Sequence, residues 1–101
     1  MAEPQIAIRD VPSEDRYVLS LDGVDAGEVA YILEPGRMVV DHTEVDEAFA
    51  GRGLGGRLAR FVLDDVRARG LRVVPRCPFL AGYLARHPAD QDLIHRGQTP
   101  G

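Results

Sequence analysis

Apolar residues in the first half of the chain recur at every second position. Tyr17, Leu19 and Leu21 share one face of Arg16–Asp22, and Val29, Tyr31 and Leu33 share one face of Glu28–Leu33. Along Arg37–Val45, Met38, Val40 and His42 fall on one side and Val39 and Asp41 on the other. A period of two is that of a strand with one buried face. Gln5–Arg9 alternates more weakly and predicts a short edge strand. Val11-Pro12-Ser13-Glu14, Asp22-Gly23 and Pro35-Gly36 stand between these runs as turns, the Asp-Gly pair being a hairpin dipeptide. The pattern predicts an antiparallel meander.

The period then changes. Leu54, Leu58, Phe61, Val62 and Val66 fall at i, i+4, i+7, i+8 and i+12, the stripe of a helix with one buried side, which Arg67, Arg69 and Gly70 bring to an end. Leu71–Val74 reads as a short apolar strand, central in the sheet. Pro78 starts a second helix over Pro78–Arg86, Pro88 opens a last helical piece to about Ile94, and Arg96–Gly101 reads as a frayed tail. The strands on either side of the first helix are joined by a crossover and can lie parallel. The expected fold is therefore α+β, a mainly antiparallel mixed sheet with one parallel pair and helices packed on it. The 101 residues form one domain with its core over about residues 5–95.

Charge changes this picture in one place. Residues 1–50 carry twelve acids and three arginines, whereas residues 51–76 carry seven arginines and two aspartates. A basic middle segment in a chain of net charge −4 is either a solvated helix face or a local site for an anion. The acidic remainder would repel a long polyanion, so nucleic acid is not the expected ligand. No apolar run reaches the roughly 20 residues of a membrane helix. The first ten residues lack the pattern of a secretory signal, which makes the expected location cytoplasmic. One cysteine, Cys77, can form neither an internal disulfide nor a cysteine cluster, and no His, Asp or Glu spacing suggests a metal.

The chemistry concentrates where strand hands over to helix. Residues 50–57 are Ala-Gly-Arg-Gly-Leu-Gly-Gly-Arg. Glycines let the backbone adopt positive φ and approach a ligand closely, and the free N–H groups of a helix start make an anion site. Arg52 and Arg57 add formal charge there, with Arg60 one turn further on. The loop suits a diphosphate. It is not a P-loop, which needs Gly-Lys-Ser/Thr in a chain that has no lysine. Nor does it follow a first strand, as a dinucleotide-binding loop would.

Gly51-Arg52-Gly53-Leu54-Gly55-Gly56 resembles the acetyl-CoA pyrophosphate loop of the GNAT acetyltransferase superfamily. Three stretches, the loop itself among them, make the likeness closer to the short branch known as CG-type N-acetyltransferases. The other two are His42-Thr43-Glu44-Val45, and Pro75-Arg76-Cys77-Pro78-Phe79 followed by Tyr83-Leu84-Ala85-Arg86-His87-Pro88. The resemblance spans roughly residues 15–95. It implies that acetyl-CoA lies in a V-shaped split between Met38–Val45 and Leu71–Val74. Val40 and Val45 would then lie along the pantetheine arm, and Gly51, Arg52, Gly53, Leu54, Gly55, Gly56 and Arg57 would surround the pyrophosphate. Two departures stand out. The Arg or Gln usual at the head of the loop is Ala50 here, and the chain is shorter than a typical member in the part where many relatives bind their acceptor.

Acetyl transfer to an amine needs a neutral amine, a polarised carbonyl and a stabilised thiolate. Cys77, at the start of a helix and beside Arg76, is either a reactive thiol, as acid or acyl carrier, or a small buried packing residue. His42 is the base candidate, because histidine titrates near neutrality, and it is expected to pair with Cys77. Glu44 either assists that base or is a surface acid. Tyr83 either protonates the departing thiolate, a role the resemblance implies, or packs against the first helix. His87 is expected to cap or pack. The acidic first half suits a cationic acceptor, a small amine or a basic peptide. The reading is an acetyl-CoA-dependent N-acyltransferase. The alternatives are a non-catalytic CoA-binding or adaptor domain and a thiol-dependent sensor using Cys77.

Overall fold

A computed structural model of the chain describes residues 5–96. Strands β1 (Ile6–Val11), β2 (Arg16–Leu21), β3 (Val24–Glu34) and β4 (Arg37–Val45) form the meander; helix α1 (Leu54–Ala68), strand β5 (Arg72–Pro75) and helix α2 (Pro78–Ala85) follow. A 3₁₀ turn over Pro88–Leu93 closes the described chain. The described strands lie in the order β1-β2-β3-β4-β5, antiparallel except for the parallel pair β4 and β5. The tail expected from Arg96 onward falls, but for Arg96 itself, outside the described residues.

Local chemistry explains most of the boundaries. Leu21 pairs with Val24, so Asp22 and Gly23 alone make the β2–β3 link, both at positive φ (50° and 83°) as a two-residue hairpin requires. This turn leaves no loop behind it. β3 therefore starts at Val24 and not at Glu28, and carries the poor strand formers Asp25, Ala26 and Gly27 into the sheet with a bulge opposite Leu19 and Ser20.

The helices cover one face of the sheet. Tyr17, Leu19, Val29, Tyr31, Met38, Val40 and Val73 meet Leu54, Leu58, Val62, Leu63 and Val66 of α1 and Leu80 and Leu84 of α2 in one core cluster. Leu33, expected on that face, lies past the covered area and is exposed. The opposite face, which carries Val18, Ile32 and Val39, contributes nothing to the cluster. β5 is an outer strand, not a central one. β3 already occupies the other side of β4, and among the described residues after α2 only Ile94 returns to bridge Val73, with His95 N–H donating to the Val73 carbonyl. Arg72 within β5 is exposed, as suits an edge strand.

Buried polar groups tie the corners together. The Tyr17 hydroxyl donates to Asp65 (2.6 Å) and the Tyr31 hydroxyl to Asp10, while Arg69 bridges Asp10 and Asp65. Burial first, and the carboxylate partners second, push both phenols well above their ordinary range.

Candidate functional site

Two consecutive strands that lie side by side and parallel end at the same edge of the sheet, so the helices that follow them start there together. β4 and β5 pair only from Arg37 with Arg72 to Val40 with Pro75, and Cys77 N–H then closes on the Val40 carbonyl (3.0 Å). Beyond that point β5 turns away into α2. The end of β4, Asp41–Val45, keeps β3 as its only neighbour, and the sheet parts here.

A bulge decides what faces the parting. Ala30 pairs with His42 but Tyr31 with Val40, so Asp41 is an extra residue on β4. The alternation slips by one. Thr43 and Val45 continue the helix-covered face of Met38 and Val40, and His42 and Glu44 turn to the uncovered face, opposite Ala30 and Glu28. His42 is therefore not brought to Cys77, contrary to the expectation from strict alternation. Its imidazole is exposed, with Nε2 3.7 Å from Glu44 Oε1. The partner of Cys77 is Thr43: the buried thiol donates to Thr43 Oγ1 at 3.3 Å. Sequence reading passed over Thr43 because the bulge has no signature in an otherwise regular strand.

The glycine loop closes the other side. Gly51 and Gly53 have φ of 82° and 72°, values that L side chains rarely adopt, and Gly53 is the N-cap of α1 with no side chain capping it. Among the described residues, no N–H of residues 51–56 donates to another protein group; the first helical bond is Arg57 N–H to the Gly53 carbonyl. These amides open onto a cavity of about 530 Å³ lined by Thr43, Val45, Phe49, Gly51, Gly53–Gly56, Phe79, Tyr83, Arg86 and His87. Phe79 stands against Gly55 so closely that a Cβ there would lie 2.6 Å from its ring. A second cavity, of about 640 Å³, runs along α1 past Arg57 and Phe61 to Ile6 and Ile8, and shares Gly53, Gly56 and Tyr83 with the first.

The structure separates the predicted residues into groups. Val45, the glycines, Leu54 and Tyr83 line the cavity beside the glycine loop, and Cys77 does not. Val40 does not: its side chain is wholly buried in the core and its carbonyl is taken by Cys77. Tyr83 is buried and its ring stacks on His87 (3.8 Å between centroids, 10° between planes). Glu44 lies on the far face and borders a mainly acidic hollow of about 480 Å³, which Asp25, Glu28, Asp46 and Glu47 line together with Val45 and with Arg16, the partner of Glu28.

The basic segment is mostly structural. Arg60 grips buried Asp90 with two bonds (2.7 and 2.8 Å), Arg67 holds Asp92, and Arg69 holds Asp10 and Asp65. Among the described residues near the loop, Arg52, Arg57 and Arg86 have no carboxylate within reach. The Arg52 guanidinium rests over the Phe49 ring at 5.6 Å.

Comparisons with known proteins agree with this geometry. A family model described as GCN5-related N-acetyl-transferase matches residues 16–93. The curated Protein NATD1 of Gallus gallus is 32% identical over 82 residues, 79% of this chain and 74% of its own. Its namesake from Xenopus tropicalis is 37% identical over 95 residues, 90% of this chain and 87% of its own. Among solved structures, a GCN5-like protein from Staphylococcus aureus superposes with a TM-score of 0.67 at 20% identity, over 94% of this chain and 96% of that one. N-acetylglutamate synthase from Neisseria gonorrhoeae, complexed with coenzyme A and N-acetyl-glutamate, gives 0.53 at 19% identity over 67% of this chain and 18% of that one. The two likenesses to solved structures establish a shared fold.

Proposed function

The chain belongs to the GCN5-related N-acetyltransferase family, and from that premise we propose that it moves an acetyl group from acetyl-CoA to a cationic amine. The observation that carries the reading is the set of unpaired amides at residues 51–56, facing a cavity that runs to the parting of β4 and β5. Amides at a helix start suit a diphosphate. With the diphosphate there, the pantetheine arm follows Val45 and Thr43 toward Cys77, where the strands separate.

The acceptor comes from the other side. The acidic hollow beside Glu44 attracts an ammonium group, and His42 and Glu44 on that face take its proton. The neutral amine attacks the thioester carbonyl carbon, the C–N bond forms and the C–S bond breaks. The CoA thiolate leaves with a proton from Tyr83, which lines the cavity, or from Cys77, which reaches it through Thr43, and that donor is reprotonated as the adduct nitrogen sheds its second proton to become the amide. Cys77 as an acyl carrier would add one step, in which its sulfur holds the acetyl group first.

Calorimetry with acetyl-CoA, followed by transfer assays on polyamines and basic peptides, tests the reading. Binding is expected in the micromolar range, with N-acetyl product formed. Absence of binding at millimolar acetyl-CoA overturns it, and binding with no transfer to any amine favours the adaptor alternative. Cys77→Ala and Tyr83→Phe separate the proton donors: the true one lowers kcat by about 10²-fold or more with little change in KM. An acetylated Cys77 trapped by mass spectrometry would establish the carrier route.

A further inference from the structure

Tyr17 and Tyr31 donate their hydroxyls to Asp65 and Asp10. Tyr83, the third tyrosine of the chain, spends its hydroxyl on no partner among the described residues, although its side chain is buried, and it lines both cavities that meet at Gly53 and Gly56. An uncommitted phenol serves as a proton donor only if its ring is held in place by something other than its own hydrogen bond.

What lies on that ring is half-buried His87. The two rings are 3.8 Å apart between centroids and 10° from parallel. Aromatic pairs favour offset or edge-on contact over so flat an overlap, and Tyr17 meets Tyr31 at 49° and Phe61 at 74°. The overlap is therefore imposed by what holds the imidazole. His87 Nδ1 lies 2.7 Å from the Tyr83 carbonyl, and because a carbonyl only accepts, the proton sits on Nδ1. The His87 N–H donates to the Leu84 carbonyl (3.1 Å), and Pro88 behind it keeps its backbone out of the helical region, at φ −129° and ψ 77°. Capping, the expectation from sequence, accounts for these bonds but not for the overlap: the bonds need only a donor, whereas the cover over the phenol needs a flat ring. Tyr83 also belongs to the core cluster, so core and imidazole together leave the ring little room to tilt.

We propose that His87 is a positioning residue for the transfer reaction: its imidazole fixes the plane of Tyr83 so that the phenolic hydroxyl stays aimed into the cavity, where the departing thiolate takes its proton. The inference rests on the proposed acetyl transfer with Tyr83 as donor and adds to it the residue that keeps the donor in line. As the C–S bond breaks, the phenolic proton passes to sulfur. The phenolate regains a proton when the adduct nitrogen sheds its second one to become the amide. A reacting group displaced by about 1 Å loses about 10²-fold in rate, and a ring free to tilt would carry its hydroxyl that far.

The test measures kcat and KM for acetyl transfer in two variants. His87→Asn keeps a donor for the Tyr83 carbonyl and loses the ring; His87→Phe keeps a flat ring and loses the donor. His87→Asn should lower kcat by about 10²-fold with KM for acetyl-CoA unchanged, and His87→Phe should restore most of that loss. In a Tyr83→Phe background neither should lower kcat further, since the group they position is gone. A His87→Phe variant as slow as His87→Asn, a loss that persists in the Tyr83→Phe background, or an effect confined to KM overturns the assignment. So does a Tyr83→Phe variant with wild-type kcat, which leaves the transfer itself standing. Circular dichroism checks that each variant is folded. Should His87→Asn not fold, His87→Leu, which covers the phenol without a flat ring, takes its place, and equal kcat in the Leu and Phe variants overturns the assignment. If wild type transfers acetyl to no amine, the proposed function and this assignment fall together.

Discussion

Single residues at the mouth of the site are set by contacts that only the fold brings about. Gly55 is legible in the sequence as part of a phosphate loop, yet its absent side chain also makes room for Phe79, which is 40% exposed and rests on it from the neighbouring helix. Alanine at this helical position improves helix propensity by up to about 1 kcal/mol, but its Cβ would displace the ring. A double-mutant cycle separates the two effects. Gly55→Ala should stabilise less with Phe79 present than in a Phe79→Ala background, because the exposed ring must swing aside, with a coupling of about 1 kcal/mol in urea unfolding. Equal effects in both backgrounds would show that the ring does not press on residue 55. Thr43 makes the complementary point. Its residue type carried no signal, and it lies against Cys77 because one extra residue, Asp41, shifts the strand.

At the scale of elements, the arginine-rich helix is the clearest case of a pattern with two readings. The sequence shows the charge but not its partners, since Asp90 lies 30 residues from Arg60 and Asp92 lies 25 residues from Arg67. The Arg60–Asp90 pair clamps the 3₁₀ turn Pro88–Leu93 to α1, and Arg60 holds the Asp90 carboxyl below its ordinary range. A carboxyl with a lowered folded-state pKa stabilises fully above its unfolded value, near 4, and loses that contribution as pH falls through the folded value. Asp90→Asn should therefore cost about 2 kcal/mol at pH 7, discounted for the partly exposed arginine, and progressively less as the pH falls below about 4. Urea midpoints across pH 2–7 check this; a wild-type and variant difference that stays constant with pH would argue against the clamp.

Over the whole molecule, the helices all sit on one side. The uncovered face leaves His42 and Glu44 open, and the covered face holds the cavity beside the glycine loop. That division carries the proposed transfer from one face to the other, where β4 and the outer strand β5 part. It also predicts unequal tolerance of substitution. Met38→Ala, on the covered face and wholly buried, should cost about 3 kcal/mol, whereas Ile32→Ser, on the open face and 48% exposed, should stay within about 0.5 kcal/mol. Chemical unfolding of both variants measures the contrast, and similar costs would mean that the second face is covered too.

The sequence by itself determined the elements and the loop. Period-two alternation, Asp22-Gly23, the α1 stripe and the glycines before it are local signals, because burial, turn geometry and free amides depend on residues a few positions apart. Tertiary structure decided the rest. The place of β5 at the sheet edge, the turn of His42 away from Cys77, the pairing of the arginines and the meeting of Arg86 and His87 with the loop depend on which strands lie side by side and where a bulge slips the register. That is a competition among pairings distant along the chain, which no single stretch of residues encodes.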